Sequence, residues 1–245
     1  MLEYQAAKDL LAGKIILVTG AGDGIGKTAA ITYAQHGATV ILLGKTVKKL
    51  EAVYDQIEQA GYPKPAIVPL DLKGASEQNY QDMADTIEEQ FGHLDGLLHN
   101  ASMLGVLGPF EHISLSSVEE VFKVNVIAEI MLTKALLPIM RKSTSASLLF
   151  TSSSVGRQAR SFWGEYAMSK FATEAMMQAI AHEYEGTSIR CNSINPGATR
   201  TSMRANAYPA ENPQTLKTPA EIMPTYLYLM GKDSAEITGQ QFNAQ

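Results

Sequence analysis

Tyr166 and Lys170, in the run Tyr166-Ala167-Met168-Ser169-Lys170, stand four residues apart, a spacing that puts a phenol and an ammonium on one face of a helix. A free phenol has a pKa of ~10, too high for a base near neutrality, and a nearby cation favours its ionised form. Lys170 is placed to supply that field. Tyr166 is thereby a candidate to give a proton to a carbonyl oxygen or to take one from an alcohol. Alone, such a pair is also a common pattern on amphipathic helix surfaces, and it gains weight only in company.

A second constellation stands near the start of the chain. The apolar run 15–19 leads into Gly20-Ala21-Gly22-Asp23-Gly24-Ile25-Gly26, four glycines in seven residues, and then into a helical pattern. Glycine permits positive φ and lets backbone N–H groups come close to a ligand, while a helix N-terminus favours a pyrophosphate. The spacing is Thr-Gly-x-x-x-Gly-x-Gly, carried by Thr19, Gly20, Gly24 and Gly26. Together with the tyrosine–lysine pair it resembles the signature of the short-chain dehydrogenase/reductase family, single-domain branch, and the likeness covers nearly the whole chain. Within that family the chain is similar to a bacterial, cytoplasmic subgroup of poorly characterised oxidoreductases.

The resemblance implies an NAD(P)-dependent enzyme that interconverts a carbonyl and an alcohol by hydride transfer, with Tyr166 as acid and base. Ser153 lies thirteen residues before Tyr166 in Thr151-Ser152-Ser153-Ser154-Val155-Gly156. In the family a serine at this offset shares the substrate oxygen with the tyrosine, and Gly156 also falls at a family position. Asn125, in Lys123-Val124-Asn125-Val126, completes the catalytic set; its implied role is to bend a helix around a water that links Lys170 to solvent. For the cofactor, the resemblance implies Gly20, Asp23, Gly24, Ile25 and Gly26 at the pyrophosphate, and Asp71 with Leu72 at the adenine. Asn100 and Ala101 stand beside the adenosine ribose, Tyr166 and Lys170 at the nicotinamide end. Pro196, Gly197, Thr199 and Thr201 hold the carboxamide. His99 and Ser102 depart from the family's Asn-Asn-Ala-Gly. Asp71 is equally readable as an N-cap for the next helix, and Pro196-Gly197 as a plain turn.

An enzyme preferring NAD places an acid at the end of the second strand to bond the ribose 2′-OH. Here that region reads Leu42-Leu43-Gly44-Lys45, with no acid and one cation. NADP(H) is therefore expected over NAD(H), Lys45 meeting the 2′-phosphate. Its plainer reading is a solvated residue opening the next helix.

These residues need elements to hold them. Short apolar runs at 15–19, 39–43, 66–70, 94–99, 147–151 and 188–194 alternate with amphipathic segments at 25–36, 47–60, 77–91, 117–141, 165–185 and 219–230. That alternation predicts an α/β, doubly wound Rossmann fold. A terminal strand near 241–242 brings the parallel sheet to about seven strands with helices on both faces. One domain, residues 1–245, is expected, with an N-terminal extension at 1–13 and a substrate loop at 196–218. Ligands of such sheets bind beyond the carboxyl ends of the strands.

Composition narrows the classes. With 20 Lys+Arg against 25 Asp+Glu, the formal charge of -5 argues against nucleic acid as the main partner. The single Cys191 excludes an internal disulfide, and five scattered histidines, expected at the surface or as caps, show no metal-ligand spacing. No run approaches the ~20 apolar residues of a membrane span, so a cytoplasmic protein without a membrane anchor is expected. Met176 and Met177 read as packing. Arg157, Arg160 and Arg204 border the expected substrate space and read as solvated loop residues. Trp163, Met103, Leu104 and Met203 suggest a partly apolar site for a bulky carbonyl compound. The family resemblance implies a homodimer or homotetramer. A catalytically weak dinucleotide-binding regulator or scaffold is the alternative; it would be signalled by a missing Tyr, Lys or Ser, and all three are present. Sugar-nucleotide epimerases and dehydratases also use the Tyr–Lys pair, but they resemble longer chains with a second lobe. The tail begins with the family's Thr-Gly-Gln at 238–240 and then departs from its usual ending.

Overall fold

Strands of Ile, Leu and Val are stable in the middle of a parallel sheet only when helices cover both faces, and the chain is built accordingly. The computed structural model describes residues 4–245; residues 1–3 of the expected extension lie outside the described residues. In chain order the elements are β1 (Ile15–Thr19), α1 (Gly24–Gln35), β2 (Thr39–Gly44), α2 (Val47–Gln59), β3 (Ala66–Pro69), α3 (Glu77–Phe91) and β4 (Gly96–His99). They continue with α4 (Leu115–Phe122), α5 (Ala128–Met140), β5 (Ala146–Thr151), α6 (Gly164–Glu183), β6 (Ile189–Asn195), α7 (Ser202–Ala207), α8 (Met223–Met230) and β7 (Gln241–Asn243).

All seven strands pair in parallel, in the order β3-β2-β1-β4-β5-β6-β7. The period of two along each strand splits the core. Ile16, Val18, Val40 and Leu42 pack with α1, α2 and α8 on one face, whereas Leu17, Ile41, Leu97 and Leu148 pack with α3, α5 and α6 on the other. Leu10 and Leu11, ahead of β1, are buried in the first of these layers. The order reverses between β1 and β4, which opens a crevice at their carboxyl ends.

Two expectations are corrected. The helix expected over 117–141 is α4 and α5 joined through a π-helical turn at Lys123–Ile127, where the Ala128 N–H bonds back to the Lys123 carbonyl. The stretch 196–218 is not irregular: it forms α7, a 3-10 turn at Pro213–Thr215 and a parallel bridge between Thr199 and Lys217. Of the methionine pair, Met177 is fully buried in the core, as packing requires.

Candidate active site

The crevice between β1 and β4 is tied by one hydroxyl. Thr19 Oγ1 accepts the backbone N–H groups of Asn100 (2.9 Å) and Ala101 (3.0 Å) and donates to the Leu98 carbonyl (3.3 Å). Gly20 stands at φ +66°, and a Cβ built on Gly26 would lie 2.3 Å from the Gly20 carbonyl oxygen and 2.5 Å from Asn100 Nδ2. Only glycine lets the first turn of α1 sit this close to the end of β1. Asp23 caps α1, accepting the Gly24 N–H at 2.7 Å, and pairs with Lys49 of α2 at 2.5 Å. The Lys49 ammonium holds its carboxyl below the usual range. Lys49 lines the cleft, yet nothing in its sequence context separates it from an ordinary helix-surface lysine. Lys45 is exposed at the end of β2, just ahead of the α2 cap Thr46, and has no ion-pair partner among the described residues.

Across the cleft, Ser152 and Ser153 follow the end of β5. Ser153 Oγ accepts the Val155 N–H at 3.4 Å at the start of a 3-10 turn, Ser154–Gly156. A Cβ on Gly156 would lie 2.7 Å from the Lys170 Cβ, so a glycine there lets this turn press against α6. Tyr166 and Lys170 lie one helical turn apart on α6, with Lys170 Nζ 6.0 Å from the Tyr166 ring centre. Tyr166 is 7% exposed and its hydroxyl has no partner among the described residues. The Lys170 ammonium is buried and donates to the Thr151 carbonyl at 2.9 Å. Trp163 stands 5.8 Å from the Tyr166 ring and packs there with Leu104 and Met203.

Asn125 sits inside the π-helical turn, fully buried. Its Oδ1 accepts the Met103 N–H at 2.7 Å, and its Nδ2 donates to the Met103 carbonyl (2.9 Å) and to Ser169 Oγ (3.0 Å). The side chain thus clips the strand-end loop after β4 to α6, beside Lys170. Glu165 performs a similar task, accepting from the Val106 N–H at 3.0 Å and Ser117 Oγ at 2.8 Å.

Several expectations change. Asp71 does not cap α3: its carboxylate accepts the Lys73 N–H at 3.1 Å, and Ser76 is the cap, in a reciprocal pair with Asn79. The turn 71–74 separates Asp71 from α3, which starts at Glu77 as expected. Asp71 and Leu72 do line the cleft. His99 is neither a surface residue nor a cap. It is buried, stacked on Phe150, with Nε2 2.8 Å from Thr133 Oγ1, and burial pushes its pKa down to about 3. Arg157 is a brace, bonded to Glu174 at 2.9 Å and to the Phe242 carbonyl at 3.0 Å. Arg204 is ion-paired with Glu211 at 2.6 Å and stacked 3.8 Å over Tyr208, while Arg160 lines the cleft.

On the third side, Pro196 and Gly197 make the turn after β6. Thr199 Oγ1 donates to the Pro196 carbonyl at 3.1 Å, and Thr201 caps α7 by accepting the Arg204 N–H at 3.2 Å. Thr201 also comes within 3.5 Å of where a Gly24 Cβ would stand, so the α1 and α7 ends meet across the cleft. Gly20, Asp23, Gly24, Ile25, Lys45, Asp71, Leu72, Asn100, Ala101, Ser153, Tyr166, Lys170, Pro196, Gly197, Thr199 and Thr201 all line this one cleft of about 800 Å³. Gly26 and Asn125 stand behind its wall.

A family model, short chain dehydrogenase, matches residues 14–212. The chain belongs to the short-chain dehydrogenase/reductase family. It is 53% identical over 244 residues to the uncharacterised oxidoreductase YciK of Escherichia coli (strain K12), covering 100% of this chain and 96% of that one. A short chain dehydrogenase of Salmonella enterica serovar Typhi superposes with a TM-score of 0.97 at 55% identity, over 99% and 100% of the two chains. A protein of Escherichia coli CFT073 solved with NADPH does so with a TM-score of 0.96 at 53% identity, over 98% and 100%. Membership makes the chain an NAD(P)-dependent oxidoreductase. Its residues fit such a nucleotide. The glycine cradle leaves no room for a Cβ at Gly22 or Gly26, the α1 N-terminus faces the cleft, and the buried hydroxyls of Ser102 and Ser152 line it without a protein partner. The volume is near the top of the ~300–1,000 Å³ usual for ligand pockets. Among the described residues no helix is long and apolar enough to cross a membrane.

Proposed function

We propose that the chain is an NADP(H)-dependent oxidoreductase that interconverts a small-molecule carbonyl substrate and its alcohol, with Tyr166 as the proton donor and acceptor. The observation that carries this reading is the convergence of Ser153, Tyr166 and Lys170 on one wall of the cleft that the glycine cradle opens. In reduction Tyr166 gives its hydroxyl proton to the carbonyl oxygen, and in oxidation its phenolate takes the alcohol proton. Ser153 donates to the same oxygen and steadies its developing charge. Lys170, four residues along the helix, favours the phenolate by its charge and bonds the nicotinamide ribose. Asn125 keeps α6 and the loop after β4 in register for both. The nicotinamide, when bound, supplies or accepts the hydride.

Gly20, Asp23, Gly24, Ile25 and Gly26 hold the pyrophosphate, Asp71 and Leu72 the adenine, Asn100 and Ala101 the adenosine ribose. Pro196, Gly197, Thr199 and Thr201 hold the carboxamide, and residues 196–218 choose the substrate. The preference for the 2′-phosphate is supported by exposed Lys45 at the end of β2 and by the NADP and NADPH bound to relatives from Shigella flexneri and Escherichia coli. Trp163, Met203 and Leu104 favour a substrate with an apolar body. The site lies in the cytoplasm, in a homodimer or homotetramer. Tyr166→Phe removes the proton while keeping the ring, so NADPH quenching titrations should match wild type while carbonyl-dependent NADPH oxidation is lost. Turnover surviving in that variant overturns the assignment.

A further inference from the structure

Behind the wall that carries Tyr166 and Lys170 lies an acid that the reaction above does not use. Glu129 stands on α5, four residues after Asn125 and just past the π-helical turn, and its side chain is 3% exposed. Its Oε2 accepts from Thr173 Oγ1 at 2.9 Å, while Oε1 has no hydrogen-bond partner and stands 3.9 Å from Lys170 Nζ, itself 2% exposed. An ammonium buried this deeply is costly without an opposite charge, and a carboxylate at this distance offsets that cost. The Thr151 carbonyl offers Lys170 a dipole but no full charge.

We propose that Glu129 is a positioning residue for the reaction, the buried counter-charge that keeps the Lys170 ammonium charged and in place behind Tyr166. The proposal rests on the Tyr166–Lys170 reading. The groups facing Glu129 are few. α6 presents Lys170 and Thr173, with Tyr166 beyond, and β5 contributes the Thr151 carbonyl to Lys170. β4 presents His99, bonded to Thr133 one turn along α5 and kept neutral by burial above about pH 3. Glu174, also on α6, is spent on Arg157 and Ser193. Lys170 is therefore the full opposite charge that Glu129 meets. Burial pushes the Glu129 carboxyl up to about 7, against the pull of Lys170 and Thr173. The counter-charge is accordingly present above about pH 7 and lost below it.

This gives a pH signature that a structural glutamate would not have. Below about pH 7 the side chain at this position is neutral both in the wild type and in Glu129→Gln, so kcat/KM for carbonyl reduction should run parallel in the two proteins. Above it the variant leaves the buried Lys170 ammonium without its opposite charge, which weakens the field that Tyr166 depends on. Its alkaline limb should move down by about one pH unit, an activity deficit growing to about tenfold. Glu129→Asp, which restores the charge, should return the limb most of the way. A uniform deficit at every pH, or no shift, overturns the proposal. Tyr166→Phe separates the two readings: if it keeps turnover the underlying assignment fails, and if it is dead while Glu129→Gln retains the wild-type profile this inference alone fails. A readout without turnover is the carboxylic acid carbonyl band in the infrared spectrum of the wild-type apoprotein. It should vanish as pH rises through about 7 and do so at higher pH in Thr173→Val, which withdraws the hydroxyl donor. An acid band that persists through the alkaline range, meaning an acid that never becomes a counter-charge, also overturns the proposal.

Discussion

Lys45, Lys49 and Asp23 decide how positive the adenosine end of the cleft is. Lys49 is spent on Asp23 at 2.5 Å, which leaves Lys45 unpaired for the proposed contact with a 2′-phosphate. Lys45→Ala should lower kcat/KM for NADPH by about tenfold, one charge-assisted bond of ~1.5 kcal/mol, and leave the NADH value nearly unchanged. Wild-type kinetics that favour NADH would sink the argument. Asp23→Asn keeps a good N-cap and releases Lys49, so NADPH affinity should rise and become more salt-sensitive. Tyr166, Lys170 and the glycines are legible in the chain because fixed spacing within one turn or helix brings them together, and Ser153 only through its motif offset. Glu129 and Lys49 are not, because each acquires its meaning from a partner 41 or 26 positions away on another element. His99 misleads for the same reason: its burial comes from Phe150 and Thr133.

Elements were easier to foresee than their joints. β1 and β2 follow from apolar runs, but the π-helical turn at Lys123–Ile127 leaves no mark in hydrophobic period. Asn125, chosen on motif alone, turns out to be the residue that makes use of that turn. In the stretch 196–218 the prolines and asparagines suggest loop, and α7 forms because Thr201 caps it and Arg204 pairs with Glu211 at its far end. Glu211→Gln tests whether α7 closes the cleft. A row of contacts runs from Tyr166 to Trp163 (5.8 Å), on to Tyr208 (5.9 Å) and to Arg204 above it. Loosening its outer end should raise KM for the carbonyl substrate several-fold. Tm should move by under about 2 °C, since the pair is at the surface. An unchanged KM means that α7 stands apart from the substrate.

At the scale of the whole molecule, the sheet is pinned where its order reverses, at both ends. The cleft end has Thr19. The opposite end has Asp95, 6% exposed, whose carboxylate accepts the Ile15 N–H (2.9 Å), Ser143 Oγ (2.6 Å) and Lys14 Nζ (3.0 Å), with His93 at 3.1 Å. Its own N–H bonds the Ile15 carbonyl and its carbonyl accepts the Ser147 N–H. One residue thus joins β1, β4 and β5. Burial works against the charge, but the bonds from Ser143, Ile15 and Lys14 outweigh it and hold the carboxyl below the usual carboxylate range. A carboxyl lowered in the folded chain stabilises above its unfolded pKa of ~3.9 and loses that contribution as pH falls through the folded value. Asp95→Asn should therefore cost about 2–3 kcal/mol at neutral pH, the scale of a charge-assisted bond lost in the interior. The gap in Tm between wild type and variant should narrow as pH falls below ~4. NADPH affinity per folded molecule should hold, because this pin is at the far edge of the sheet from the cleft. A constant gap across that range would mean that the charge of Asp95 contributes nothing, and that its geometry alone joins the two halves of the sheet.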